Sequence, residues 1–245
     1  MDACVIIPAR FKSSRFPGKP LTKLNGKEMI LWVAELSSEA VGASNVFVAT
    51  DDLRISEIVE KKGFEAILTN SDLLTGTDRV AQAAIPLKYE IIVNVQGDEP
   101  IVNPNDILKA IELKKEYPES VINSFCFIGK GEDPKNKNIP KVVTNENNDL
   151  IYISRALIPD SKEKNSFSKY KKQVCIYSFY KDQLDKFYSF RRKSYLEKIE
   201  DIEILRFFEL GINIKMYESL TPSLAVDVPE DILKVEIALK KKLEK

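Results

Sequence analysis

Short apolar runs alternate with polar, helix-periodic stretches over the first hundred positions of the chain. Cys4–Pro8 (CVIIP) predicts a buried strand, and the polar loop Ala9–Leu21, with its prolines and Gly18, follows it. Glu28–Ser38 predicts a helix, and Asn45–Thr50 (NVFVAT) a second buried strand ending at Asp51-Asp52. Leu53–Lys62 is periodic and stops at Gly63; Phe64–Thr69 predicts a third strand, Asp78–Leu87 a helix, and Glu90–Val95 (EIIVNV) a fourth strand ending at Gln96-Gly97-Asp98. Strands that read as continuous apolar runs, alternating with helices, predict a parallel sheet covered on both faces. Ligands in such sheets bind at the carboxyl ends of the strands. Those ends carry Ala9-Arg10, Asp51-Asp52 and Gln96-Gly97-Asp98.

The second half is less regular. Ser120–Ile128 predicts a strand, and Lys141–Thr144 and Leu150–Ser154 short paired strands around a turn at Asn147-Asn148. The lysine-rich stretch Ser161–Lys172 reads as a mobile surface loop, Val174–Tyr180 as a strand, and Ile199–Leu210 as a helix with Gly211 at its C-cap. Pro229–Lys242 predicts a C-terminal helix whose basic last turn suits the helix dipole. The aromatic residues Phe187, Tyr188, Phe190 and Tyr195 are expected in the core rather than at an interface.

Composition narrows the function. The chain has 245 residues, enough for one large α/β domain or two small ones, and shows neither internal repeat nor linker. Lys plus Arg and Asp plus Glu balance at 37 each, so no overall basic field attracts nucleic acid. There is no histidine, which removes Ser-His-Asp triads, Cys-His pairs and imidazole-bound metals. A metal must then be held by oxygen, which favours Mg²⁺ or Mn²⁺. Cys4, Cys126 and Cys175 are widely spaced and odd in number, a pattern fitting a reduced cytosol. The start has no basic segment before its apolar run, so neither a signal peptide nor a membrane span is expected.

The loop after the first strand reads Pro8-Ala9-Arg10-Phe11-Lys12-Ser13-Ser14-Arg15-Phe16-Pro17-Gly18-Lys19-Pro20-Leu21. Arg10, Lys12, Arg15 and Lys19 supply cations, Ser13 and Ser14 hydroxyl donors, and Gly18 with the prolines a tight path. A triphosphate needs this combination of fixed positive charge and donors. By composition alone a solvated basic loop fits equally well. The Walker A pattern is absent.

P-A-R-x-x-S-x-R-x-P-G-K-P-L resembles the signature loop of the cytidylyltransferases that activate 3-deoxy-manno-octulosonate (Kdo). The resemblance continues through Val48-Ala49-Thr50-Asp51-Asp52, Thr75-Gly76-Thr77-Asp78-Arg79, Asn94-Val95-Gln96-Gly97-Asp98-Glu99-Pro100, Tyr152-Ile153-Ser154-Arg155-Ala156-Leu157-Ile158-Pro159 and Ala225-Val226-Asp227-Val228-Pro229-Glu230-Asp231. It implies a three-layer, Rossmann-like nucleotidyltransferase fold with a GT-A-like, mostly parallel sheet and a smaller sheet-containing dimerisation lobe. A single domain is expected over 1–245, with CTP bound by about 1–120, the sugar and dimer contacts carried by about 121–220, and the C-terminal helix returning to the core.

The resemblance also implies site roles. Pro8, Ala9, Arg10, Ser14, Arg15, Lys19, Thr75, Gly76, Thr77, Gln96 and Asp98 are expected at the nucleotide, with Arg10, Lys19 and Asp98 catalytic and Lys19 neutralising the α-phosphate. Asp98 and Asp227 are expected to hold Mg²⁺; by position alone Asp227 equally suits a helix N-cap. Thr75-Gly76-Thr77 also reads as a turn with Thr77 as the cap of the next helix. Arg79, Gln96, Arg155, Gln173, Tyr177 and Glu203 are expected at an acidic sugar, the arginines on its carboxylate, although each arginine is also compatible with a surface ion pair. The implied reaction is attack of a sugar hydroxyl on the α-phosphorus of CTP, releasing pyrophosphate and a CMP-sugar. Such catalysis is largely positioning and charge neutralisation, so the lack of histidine is no obstacle.

Two positions depart from the Kdo pattern. Gln173-Val174-Cys175-Ile176-Tyr177-Ser178-Phe179 stands where H-L-G-I-Y-G-Y is usual, and Ile204 where L-E-Q-L-R has glutamine. Both changes fall on the sugar side, so a Kdo variant such as 8-amino-Kdo, or a sialic-type acid, is a further acceptor to consider. A sugar- or polyol-phosphate nucleotidyltransferase and a non-catalytic nucleotide-binding module are the competing readings. A dinucleotide oxidoreductase is a third reading, disfavoured because no G-x-G-x-x-G follows the first strand. The family further implies a cytoplasmic homodimer for lipopolysaccharide or capsule synthesis.

Overall fold

A computed structural model describes residues 2–12, 16–129, 131–160, 170–222, 224–226 and 228–243. Among these residues a nine-stranded sheet runs in the order β11-β7-β10-β6-β1-β4-β5, with β8 and β9 attached off the path. The strands are β1 (Ala3–Ala9), β4 (Val46–Thr50), β5 (Glu65–Leu68), β6 (Ile91–Val95), β7 (Val121–Phe127), β8 (Lys141–Thr144), β9 (Leu150–Ser154), β10 (Lys171–Tyr180) and β11 (Ile214–Glu218). β5, β4, β1 and β6 pair in parallel, as the apolar runs of β1, β4 and β6 predict, with β5 a part-exposed edge strand. β10 is antiparallel to both β6 and β7, which makes the sheet mixed. β1 lies between β4 and β6, so the strand order reverses there and opens a crevice at the carboxyl edge.

Helices cover both faces. α1 (Met29–Val41), α2 (Leu53–Lys61) and α4 (Pro104–Glu116) pack on the face bearing Val5 and Ile7. α3 (Gly76–Ala84), α5 (Lys181–Ser189) and α7 (Ile204–Glu209) pack on the face bearing Cys4 and Ile6. Strict alternation along β1 thus feeds two cores, each fully buried aliphatic side chain contributing about 1.5–3 kcal/mol. A third cluster joins α8 (Ile232–Leu243) to α1, where Val235 and Leu239 meet Met29 and Trp32.

Several expectations need correction. A two-residue hairpin, β2 (Lys23–Leu24) and β3 (Lys27–Glu28), turns through Asn25-Gly26, both at positive φ. The helix expected over Ile199–Leu210 is two short helices, α6 (Tyr195–Glu200) and α7, because Asp201 adopts a left-handed conformation at φ 51°. The polar stretch expected to loop through Lys172 ends earlier: Lys171 and Lys172 belong to β10, and the Lys172 ammonium is paired with Glu132. Residues 161–169 of that stretch lie outside the described residues. Of the aromatic residues expected in the core, Phe187 is buried and stacks on Phe207 at 4.5 Å, whereas Tyr195 is 72% exposed.

Candidate active site

The crevice is built first by a glycine. A Cβ at Gly97 would lie 2.9 Å from the carbonyl oxygen of Pro8, so the loop after β6 rests directly on the end of β1 and projects Asp98 over it. The loop after β1 doubles back: the Gly18 N–H donates to the Phe11 carbonyl at 2.9 Å, with Gly18 at φ 72°, and Lys19 starts a single 3-10 turn. Lys19 Nζ then donates to Asp98 Oδ2 at 2.6 Å and to the carbonyl of Val226 at 2.9 Å. The Val226 N–H donates to the Asp98 carbonyl at 3.0 Å. Three segments far apart in sequence therefore meet at one ammonium. Arg10 and Lys12 stand exposed beside them, and the Phe11 ring lies under the Arg54 guanidinium at 3.5 Å. Pro8 and Ala9 are buried at the end of β1. Ser14, Arg15 and Asp227 lie outside the described residues.

The N-terminus of α3 forms the next wall. Thr75, not Thr77, is its N-cap: its Oγ1 accepts from the Asp78 N–H at 3.1 Å and its hydroxyl donates to Asp78 Oδ2 at 2.7 Å. The N–H groups of Gly76 and Thr77 donate to the two carboxylate oxygens of Glu203, at 3.1 and 2.8 Å. A Cβ at Gly76 would lie 3.0 Å from the Gln96 amide nitrogen, so Gln96, Gly76 and Glu203 are in contact. Burial raises the pKa of Glu203 above the ordinary carboxylate range, opposed by the Thr77 hydroxyl and the two N–H groups.

The two arginines expected on a sugar carboxylate are engaged by the protein. Arg79 is 3% exposed, pairs with Asp51 at 3.3 Å and donates to the Thr69 hydroxyl. Burial, the Asp51 charge opposing it, and the nearby Arg10 lower its pKa. Arg155 donates to the carbonyls of Glu200, Lys137 and Asp201 at 2.6, 2.9 and 2.9 Å. It closes the end of α6, two residues before Glu203. Lys141, fully buried, supports it by donating to the Arg155 carbonyl at 2.6 Å.

The remaining wall is β10. A bulge between Val174 and Tyr177 is filled by Asn123, whose amide donates to the carbonyls of Val174 and Ile176 at 3.0 and 2.8 Å. Gln173 donates to Asn123 Oδ1 at 3.0 Å and to the Tyr177 hydroxyl at 3.2 Å, forming a neutral buried network. Cys175 lies between: its carbonyl accepts the Gln96 N–H at 3.2 Å, and burial, with Glu99, Asp98 and Glu203 adding to it, pushes its thiol well up. Burial, then Cys175 and Glu203, also raises Tyr177. Sequence reasoning gave Cys175 and Asn123 no site role; the polar residue Asn123 inside an apolar strand was the available signal for the second.

The sequence profile described as Cytidylyltransferase matches residues 4–215. The chain belongs to the cytidylyltransferase family. It is 41% identical to 3-deoxy-manno-octulosonate cytidylyltransferase 2 of Hydrogenovibrio crunogenus, with 98% of each chain covered. It is 38% identical to the 8-amino-3,8-dideoxy-manno-octulosonate cytidylyltransferase of Shewanella baltica OS195, covering 96% of this chain and 98% of that one. Among solved structures, CMP:2-keto-3-deoxy-manno-octonic acid synthetase complexed with CTP superposes with a TM-score of 0.88 at 35% identity, covering 98% of this chain and 99% of that one. In this cytidylyltransferase the crevice lies at the reversal of strand order, with helices on both faces of the mixed sheet.

Of the two carboxylates expected at a hard cation, Asp98 stands at the crevice, and among the described residues no group of three acidic or cysteine side chains is placed to hold a metal. Asp98 is a carboxylate one quarter exposed at the crevice and paired with Lys19, while its backbone carbonyl accepts the Val226 N–H. Mg²⁺ takes one or two carboxylates and completes its shell with water and phosphate oxygens. No helix among the described residues is long and apolar enough to cross a membrane.

Proposed function

We propose that this chain transfers CMP from CTP to the anomeric hydroxyl of a 3-deoxy-2-ulosonic acid, with Kdo as the first candidate, giving CMP-Kdo and pyrophosphate. The observation that carries the reading is the meeting of Lys19, Asp98 and Val226 at the reversal of strand order. The sugar hydroxyl attacks the α-phosphorus in line, and the bond to the β-phosphate oxygen breaks. Lys19 neutralises charge on the α-phosphate, while Arg10 and Arg15 with Ser14 hold the outer phosphates. Pro8, Ala9, Thr75, Gly76, Thr77 and Gln96 shape the nucleoside side. Asp98 with Asp227 would hold Mg²⁺, which would supply charge neutralisation at the phosphates and lower the pKa of the attacking hydroxyl.

On the sugar side, Gln96, Gln173, Tyr177 and Glu203 meet the acceptor. Arg155 and Arg79 act one layer back, Arg155 by anchoring the end of α6 and Arg79 by tying α3 to Asp51. 8-Amino-Kdo is the second reading, because the neutral Gln173–Asn123–Tyr177 network sets the hydroxyl or amine pattern that is accepted, and relatives named for each sugar are similarly close. A cytosolic homodimer serving lipopolysaccharide or capsule synthesis completes the proposal. Tyr195 and Ile199, four residues apart on α6 and both exposed, offer a face for the second copy.

The test is pyrophosphate release with CTP and Mg²⁺ over a panel of Kdo, 8-amino-Kdo and sialic-type acids. Turnover of Kdo or 8-amino-Kdo is expected. Absence of turnover with every acid in the panel overturns the proposal.

A further inference from the structure

Arg206 is fully buried on α7, and its guanidinium is saturated. Nε and Nη2 each donate to Glu197 at 2.7 Å; Nη1 and Nη2 donate to Asp78 at 2.8 and 3.1 Å; Nη1 also reaches the Phe187 carbonyl at 3.4 Å. The Phe187 ring lies 3.7 Å below the guanidinium carbon. Both carboxylates have further work: Asp78 accepts the Thr75 hydroxyl, and Glu197 accepts the Ser194 N–H at 3.0 Å. Apolar side chains of similar volume would often stabilise such a site as well or better, because three charges must be desolvated. What the fork supplies instead is a fixed orientation between helices.

That orientation bears on Glu203. α7 spans only six residues, too few to hold a position unaided. Glu203 stands at its start, and its carbonyl accepts the Arg206 N–H at 3.0 Å. The Glu203 carboxylate meanwhile occupies the N–H groups of Gly76 and Thr77. Two ties therefore join α3 to α7. One, Glu203, is partly exposed and faces the crevice; the other, Arg206, is sealed inside.

We propose that Arg206 is a positioning residue: it holds the backbone of Glu203 in place while the Glu203 carboxylate exchanges from the α3 amides to the hydroxyls of the acidic sugar. This rests on the ulosonic-acid reading of the crevice. Arg206→Lys keeps the charge and loses the fork, so α7 shifts relative to α3. Misplacement of a binding group by about 1 Å costs up to about a hundredfold. The expected result is a sugar KM raised about tenfold or more with the CTP KM changed less than about threefold. Because the effect passes through Glu203, Arg206→Lys combined with Glu203→Ala should have the sugar KM of Glu203→Ala alone. Additive effects, an unchanged sugar KM, or equal rises in both KM values overturn the proposal; a purely structural role would lower the melting temperature and the active fraction without this split. Glu197→Gln, a gentler change, is expected to move the sugar KM in the same direction. Amide hydrogen exchange at Gly76 and Thr77 gives a second readout independent of turnover. It should quicken in Arg206→Lys, and unchanged exchange counts against the tie. A wild-type chain inactive on every acid in the panel would sink the ulosonic-acid reading, while the exchange result would still decide whether Arg206 secures the contact.

Discussion

The Lys19 ammonium stands 2.6 Å from Asp98 Oδ2 while also holding the carbonyl of Val226. One cation thus joins the loop after β1, the loop after β6 and the segment leading to α8. In the proposed reaction the pair ties the charge assigned to the phosphates to the one assigned to the metal, so each is oriented before substrate arrives.

Lys19→Met should lower kcat by about a hundredfold to a thousandfold, the usual cost of losing one preorganised donor to developing charge. Asp98→Asn should abolish Mg²⁺-dependent turnover, and chelation of the metal should do the same to the wild type. Pyrophosphate release with and without Mg²⁺ checks all three; retained activity in Asp98→Asn would exclude the metal role.

Gly97→Ala separates geometry from stability. The added Cβ would meet the Pro8 carbonyl oxygen at 2.9 Å, which backbone cannot yield cheaply. The loop must lift and carry Asp98 with it. A loss of about 1–3 kcal/mol in stability is expected from overpacking, and about a hundredfold in kcat from misplacement. Urea unfolding and initial rates on the same preparation measure the two.

Gln173→Leu leaves Asn123 Oδ1 and the Tyr177 hydroxyl without their partner. A destabilisation of about 1–3 kcal/mol follows from the unsatisfied buried acceptor. The sugar KM should rise about tenfold, about the value of one neutral hydrogen bond, with the CTP KM unchanged. Steady-state kinetics varying each substrate in turn decide whether the network belongs to the sugar side.

Lys114 gives a pH signature. Its ammonium is buried in α4 against the Pro118 and Ser120 carbonyls, and burial lowers its pKa from 10.5 to about 8, weakly opposed by Asp182 and Glu119. Between these values the unfolded chain binds the proton and the folded chain does not, so stability rises with pH from about 8 to 10.5 and is lost as pH falls back through 8. Lys114→Met should lack that rise. Urea midpoints of both proteins across this range are the measurement; parallel pH profiles would show that Lys114 does not titrate there.

The first half of the fold was legible because its central strands are buried on both faces and read as plain apolar runs, Cys4–Pro8 and Glu90–Val95 among them. The crevice followed from their ends. What escaped depends on partners distant in sequence. β10 enters the sheet antiparallel between β6 and β7, and its own residues carry no mark of that. Arg79 and Arg155 read as sugar-facing cations or as ion-pair partners, and the groups that decide between these, Asp51 and the end of α6, lie far off in sequence. Thr75 displaced Thr77 as the cap because Asp78 returns its hydrogen bond. Two omissions had local signals: Asn103-Pro104, a cap followed by proline at the first helical position, announces α4, and Asn25-Gly26 announces the small hairpin.

The attachment of Val226 to Lys19 and Asp98 also sets a timetable. Everything else around that ammonium has been synthesised by residue 98, yet the carbonyl that steadies it comes more than a hundred residues later. A nascent chain can pair β5, β4, β1 and β6 and still hold Lys19 by Asp98 alone. In the proposed reaction, full positioning of this lysine therefore waits until the segment before α8 has been synthesised and Val226 can reach Lys19 and Asp98.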